Sequence, residues 1–264
     1  MSDIKAASVI CAIDNHVARL TLNRPERKNA INTAMHLELR QALDAIRSDS
    51  AVRVVILTGA GGAFCAGQDL AERAEMLRHG EVDLAQSLNE YYNPLVRALV
   101  ALPMPVIAAV NGVAAGAGAA LALLADIVIA AQSARFQLAF ARVALGPDSG
   151  ISWTLPRSVG NARALGMALT SDMIEAPRAQ AWGLIWEAVP DETVDRHVEE
   201  LAQRLARGPQ AALRAIKRRL RDNTCDSLDA SLDAERDMQG GLGQHPDYRE
   251  AVLAFMSKRT PHFL

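Results

Sequence analysis

Cysteine is scarce in this 264-residue chain. Cys11, Cys65 and Cys225 lie far apart, are odd in number and include no CxxC pair, which argues against a disulfide framework and against a zinc site. Charge of one sign is also missing. Lys and Arg number 28 against 30 Asp and Glu, a formal net charge of -2, so the overall balance carries no nucleic-acid footprint. The opening MSDIKAASVI lacks the basic segment and apolar run of a signal peptide. No apolar run is long enough to suggest a membrane span: the most apolar stretch, residues 106–130, is broken by Asn111, several glycines and Asp126. A cytoplasmic protein without metal, nucleic-acid partner or membrane anchor is therefore the expectation. With 17 Gly, 11 Pro and half the residues hydrophobic, the composition is that of a globular chain rather than a disordered or fibrous one.

A nucleotide-phosphate loop is absent as well. GAGGAFCAG (residues 59–67) and NGVAAGAG (residues 111–118) are glycine-rich. Neither fits GxGxxG after the first strand, and neither ends in GK[ST].

What is present reads as α/β. Residues 7–23 alternate around a polar turn at Asp14, Asn15 and His16, which predicts a β-hairpin. Ile31, Met35, Leu39, Ala42, Leu43 and Ile46 recur at spacings of three and four and predict an amphipathic helix. VRVVILTG and VIAAV read as buried strands, and residues 84–102 as a long helix stopped by Pro103 and Pro105. NGVAAGAG turns into the helix AALALLA, and Asp126 leads into the strand IVIA. Short apolar strands alternating with helices indicate α/β architecture. Beyond Gly208 and Pro209 the pattern is mostly helical. The basic stripe Arg214, Lys217, Arg218 and Arg221, followed by Asp222, Asp226, Asp229 and Asp233, reads as a solvated helix face, with an anionic ligand or a subunit contact as the alternatives.

Each glycine stretch follows an apolar strand. Small residues there let backbone N–H groups approach a ligand, and two such donors converging on one carbonyl oxygen would make an oxyanion hole. Tight packing of strand on helix explains the same composition.

Four segments together resemble the crotonase (enoyl-CoA hydratase/isomerase) superfamily: LTLNRPERKNAIN (residues 20–32), AFCAGQDL (63–70), PVIAAVNGVAAGAG with ADIVIA (105–118, 125–130), and PDYREAVLAFMSKRTPHF (246–263). They run in family order over nearly the whole chain. The resemblance implies an α/β crotonase (ClpP-like) spiral of repeated ββα units with a helical C-terminal region. The expected division is residues 1–190 as the acyl-CoA-binding core and 191–264 as the helical part that closes the site and trimerises. It implies oxyanion donors at the backbone N–H of Gln68 and Ala117, and coenzyme A held along Lys28, Ala30, Ala66, Gln68, Asp69 and Leu70. Coenzyme A belongs to the substrate thioester, and no separate cofactor is expected. A homotrimer or dimer of trimers is implied. Cys65 is expected to be an apolar filler, with no neighbouring base to activate it.

Where family hydratases carry two glutamates, this chain has Ala120 and Phe140, neither of which transfers protons. The resemblance leaves Asp148, in LGPDSG, as the catalytic carboxylate; capping the following helix is its alternative role. LNEYYNPLVRAL and WGLIWEAV are similar to isomerases of phenylacetyl-CoA breakdown, which puts Tyr91 or Tyr92 at the acyl pocket or between subunits. Other readings are a general Δ3,Δ2-enoyl-CoA isomerase, a hydratase-like enzyme, or a non-catalytic acyl-CoA-binding subunit.

Overall fold

The computed structural model describes residues 7–80, 82–222 and 226–263. Cys225 lies outside the described residues. The chain opens with the expected hairpin, β1 (Val9–Asp14) and β2 (Val17–Leu22), paired antiparallel. Asn15 and His16 both take positive φ, 46° and 68°, which matches the right-handed twist of a two-residue hairpin turn. Helix α1 (Thr33–Ser48) follows, capped by the Asn32 side chain accepting from the Met35 N–H. Met35, Leu39, Leu43 and Ile46 are its buried face, as the spacing predicts.

Strand β3 (Val54–Gly59) is buried along its whole length because it lies between β2 and the later strand β5. From β3 onward one unit recurs: a strand in the large sheet, a three-residue strand in a second sheet, then helix. Its first turn is β3, β4 (Ala63–Cys65) and α2 (Leu70–His79). Between turns run α3 (Leu84–Ser87), a π-helical turn over Leu88–Tyr92 and α4 (Asn93–Val100). The second turn is β5 (Val106–Val110), β6 (Val113–Ala115) and α5 (Ala117–Leu123). The third is β7 (Ile127–Ala131), β8 (Arg135–Gln137) and α6 (Ile151–Thr170). Then come β9 (Ile174–Glu175), α7 (Ala176–Ala181) and β10 (Glu187–Val189). The large sheet runs β1-β2-β3-β5-β7-β10 and the small one β4-β6-β8-β9. This is the ββα spiral of the crotonase fold. One detail differs from expectation: NGVAAGAG contains strand β6 before its helix begins, because a three-residue strand leaves too short a pattern to read.

Helix α8 (Val194–Ala206) buries Val194, Val198, Leu201 and Ala202 against the large sheet. The packed core thus runs past residue 190 to Ala206. The remaining helical part is α9 (Gln210–Asp222), α10 (Leu228–Gly243) and α11 (Pro246–Met256). Among the described residues no helix is long and apolar enough to cross a membrane.

The basic stripe of α9 is not simply a solvated face. Lys217 Nζ lies 2.7 Å from Asp126 Oδ2 and donates to the Met104 carbonyl at 2.8 Å. Arg221 reaches Asp126 Oδ1 and the Leu124 carbonyl, each at 2.7 Å. Asp126 also accepts the Val106 N–H. Half of the stripe therefore docks α9 onto the core, while Arg214 and Arg218 stay exposed. Burial lowers the Lys217 pKa from its ordinary value, and Asp126 opposes that shift. Asp126→Asn leaves Lys217 in place without its counter-charge and is expected to cost about 3–5 kcal/mol in urea unfolding. Adding Lys217→Met should recover most of that loss. An unchanged midpoint for the single variant would mean that Lys217 escapes to solvent.

Candidate active site

The two glycine stretches meet at the ends of β4 and β6. Gly67 has φ +90°, and a Cβ there would sit 2.7 Å from the Ala115 carbonyl oxygen and 3.4 Å from the Ala117 nitrogen. Only glycine lets these two backbones approach so closely. A Cβ on Gly118 would lie 2.3 Å from the Cys65 carbonyl oxygen, so α5 starts pressed against β4. Gln68 and Ala117 line one cavity of about 350 Å³. Among the described residues neither backbone N–H donates to a backbone acceptor. Two free donors at the ends of paired parallel strands can receive one carbonyl oxygen without reorganising.

Asp148 lines the same cavity. Helix α6 is capped at Gly150 without a side-chain bond, and the Asp148 carboxylate accepts only from its neighbour Ser149 Oγ, at 2.8 Å, among the described residues. The backbone carbonyl of Asp148, not its side chain, takes the Ile151 N–H. The helix-cap alternative therefore fails, and Asp148 is left as a lining residue of the cavity. Burial raises its pKa from the ordinary value, with the Ser149 hydrogen bond opposing.

Phe140 forms part of the cavity wall, as expected, and Ala120 is fully buried in α5. Leu70, Leu77, Val82, Val143 and Leu145 make most of the remaining lining aliphatic. Cys65 is buried, donates to the Asn29 carbonyl at 3.1 Å, and has its thiol pushed up to about 12 by burial. It is a packing residue.

The segments carrying Lys28, Ala30, Ala66, Gln68, Asp69 and Leu70 lie side by side. Ala66 N–H donates to Lys28 O at 2.9 Å, Ile31 N–H to Gly67 O at 2.7 Å and Asp69 N–H to Ile31 O at 2.9 Å. Lys28 is exposed and Ala30 buried, and Leu70 stands at the cavity rim, 57% exposed. The Asp69 carboxylate has internal work: it caps α2 through Ala71 and Glu72 and pairs with Arg24 at 2.8 Å. It holds the loop and offers no free oxygen to a ligand.

Sequence reasoning missed Arg73. It lines the cavity one helical turn beyond Asp69 and donates to Ser87 Oγ at 3.2 Å. With the Gln68 carboxamide turned so that Oε1 faces it, the guanidinium also donates there from Nε at 2.6 Å. The only sequence signal is its place in the first turns of the helix after AFCAGQDL. Of the two tyrosines, only Tyr92 lines this cavity; both line an adjoining polar pocket.

A ββα spiral that brings two free backbone donors and one carboxylate to an apolar cavity defines a class of enzyme acting on acyl thioesters. The chain belongs to the enoyl-CoA hydratase/isomerase family, whose model matches residues 12–264. It is 48% identical over 255 residues, 97% of each chain, to "1,2-epoxyphenylacetyl-CoA isomerase" of Escherichia coli K12. It is 51% identical over 251 residues, 95% of each chain, to "Probable enoyl-CoA hydratase" of Rhodobacter capsulatus. Among solved structures, an enoyl-CoA hydratase from Bacillus anthracis superposes with a TM-score of 0.88 at 34% identity, covering 97% of this chain and 98% of that one.

Proposed function

We propose that this chain is a CoA-thioester isomerase that moves one proton along the acyl group, with 2-(1,2-epoxy-1,2-dihydrophenyl)acetyl-CoA as its substrate. The observation that carries this reading is the single carboxylate. Among the described residues lining the cavity, Asp148 is the only acid. Ala120 and Phe140 stand where the resemblance puts the hydratase glutamates.

The thioester oxygen accepts from the N–H groups of Gln68 and Ala117, which lowers the cost of forming an enolate. Asp148 takes a proton from the α carbon and returns it to the γ carbon, so a β,γ double bond moves to the α,β position. For the ring epoxide, the carbon–carbon bond shared by the three- and six-membered rings opens without proton transfer. The resulting oxepin carries a β,γ double bond, and the same proton shift brings it into conjugation with the thioester. Every atom of the substrate is kept, nothing is oxidised or reduced, and no water is added. Coenzyme A enters as part of the substrate, along the paired segments at residues 28–31 and 66–70.

The mostly aliphatic wall favours a second reading, a Δ3,Δ2-enoyl-CoA isomerase for linear acyl groups, which uses the same proton shift. A turnover screen separates the readings. The epoxide thioester should give a product of unchanged mass at the highest kcat/KM. A linear 3-enoyl-CoA turned over faster would select the second reading. Fast gain of one water by a 2-enoyl-CoA would overturn both.

The proposal also takes the chain as a homotrimer or dimer of trimers. It is supported by Leu169 on α6 and by Phe255 and Met256 on α11, all at least 74% exposed, an apolar surface that association would cover. Light scattering should give three or six times the 28.3 kDa chain mass. A monomer at micromolar concentration would remove this part.

A further inference from the structure

Pro94 has no N–H to give to the Glu90 carbonyl, and the helix passes it through the π turn Leu88–Tyr92. The freed Glu90 oxygen accepts instead from Arg40 Nη1 at 3.3 Å. That turn directs Tyr92 inward, where it is 6% exposed and lines the cavity that holds Asp148. The ring is pinned edge-on by His36, with centroids 4.3 Å apart. His36 is 3% exposed, and both of its ring nitrogens lack hydrogen-bond partners among the described residues. Burial, helped by Arg40, lowers its pKa to about 4, so it is neutral and acts as an aromatic wedge.

The Tyr92 hydroxyl has no hydrogen bond among the described residues and is not fully buried; the residue lines both the Asp148 cavity and the polar pocket beside it, and the hydroxyl feels the Asp148 charge. A phenol in a buried position normally finds a partner. The aliphatic wall offers no acceptor, and neither polar acceptor of that lining bonds to it: the Asp148 carboxylate is held by Ser149 and the Gln68 carbonyl oxygen faces Arg73. Burial and the facing Asp148 carboxylate both raise the Tyr92 pKa, so the group stays protonated and donates. The thioester oxygen is not its acceptor on the reading above, because that atom goes to Gln68 and Ala117.

We infer that Tyr92 is a specificity-determining residue: its O–H donates to an oxygen atom carried by the acyl group itself, selecting oxygen-bearing acyl thioesters over hydrocarbon chains. The inference rests on the isomerase reading and names the polar feature its substrate should carry. An acceptor bound there completes the phenol. A hydrocarbon chain leaves it unpaired, which lowers affinity for that chain.

The test is Tyr92→Phe, which keeps the ring and its packing on His36. On the ring-oxygen thioester, kcat/KM should fall roughly 5- to 100-fold, the scale of a lost hydrogen bond that leaves its partner unsatisfied. On a linear 3-enoyl-CoA it should not fall, and should rise by up to a similar factor, because the variant removes the phenol that this chain leaves unpaired. Tyr91→Phe, in the adjoining pocket, should leave both substrates unaffected. Equal losses on both substrates, or none on either, would overturn the inference and leave Tyr92 as a wall. Should the parent protein not turn over the ring-oxygen thioester, the isomerase assignment to that substrate fails by itself. Calorimetry then decides the inference separately, using the seven-membered oxepin thioester and its all-carbon ring analogue. Tyr92→Phe should weaken only the oxygen-containing ligand, and equal weakening of the two would sink the idea.

Discussion

Asp148→Asn should reduce isomerisation by about 100- to 10,000-fold, the usual scale for removing a general base, while binding of the CoA ester is largely kept. The asparagine preserves size and can still accept from Ser149, so the change is confined to proton transfer. Incorporation of solvent deuterium at the γ carbon should fall in parallel. The pH profile gives an independent check. The base must be ionised, so the rate falls as pH drops through the folded-state pKa of Asp148, which burial places above the ordinary carboxylate value. The acid limb of kcat/KM, which reports the free enzyme, should therefore lie above the 3.8 of an unperturbed Asp. The same shift acts on stability with the opposite sense from a salt-bridged acid. Between the unfolded and the raised folded pKa the native state holds the extra proton, so stability falls as pH rises through that window. Asp148→Asn removes this penalty, and at neutral pH the variant should melt no lower than the parent. Undiminished turnover in the variant would falsify the proton-transfer role.

Gly67→Ala should lower kcat about 100- to 1,000-fold, the effect of losing one oxyanion donor. The new Cβ would lie 2.7 Å from the Ala115 carbonyl, and Gly67 has φ +90°. Strain at such a φ and contact with an immobile backbone atom must be relieved by moving residues 66–68. That movement displaces the Gln68 N–H from Ala117. The loss should appear in kcat more than in KM, because the oxygen carries most of its negative charge in the enolate-like transition state. Gly62→Ala is the control: a Cβ there meets nothing within 4 Å, and activity should stay within about 2-fold, as for most surface substitutions. A Gly67→Ala protein with correct circular dichroism and kcat within threefold of the parent would show that Gln68 N–H is not needed.

The local pattern was enough for the hairpin, for α1 and for the long buried strands, because alternation and three-four spacing report which face of an element is apolar. It was not enough for the second sheet. Strands β4, β6 and β8 have three residues each, too few for a period, and they exist because each spiral turn pairs with the next. The two glycine segments, with Ala120 and Phe140, were legible as residue types in order along the chain. The meeting of the two segments was implied by the family resemblance and not by the local pattern, since Gln68 and Ala117 come together only through the parallel pairing of β4 with β6. The role of Asp148 divided the same way. PDSG is compatible with a helix cap, and only the observed cap at Gly150 left the carboxylate to the cavity. Lys217 read as a surface cation until the fold brought it to Asp126, 91 positions earlier in the chain, and the Gln68–Arg73 contact depends on how α2 packs. Tyr91 and Tyr92 are adjacent and chemically alike, so composition treats them equally. With the π turn before Pro94, only Tyr92 reaches the cavity that holds Asp148, while both line the pocket beside it. Residue type and spacing determine what an element can offer, whereas long-range packing decides which groups meet and which donors are left free.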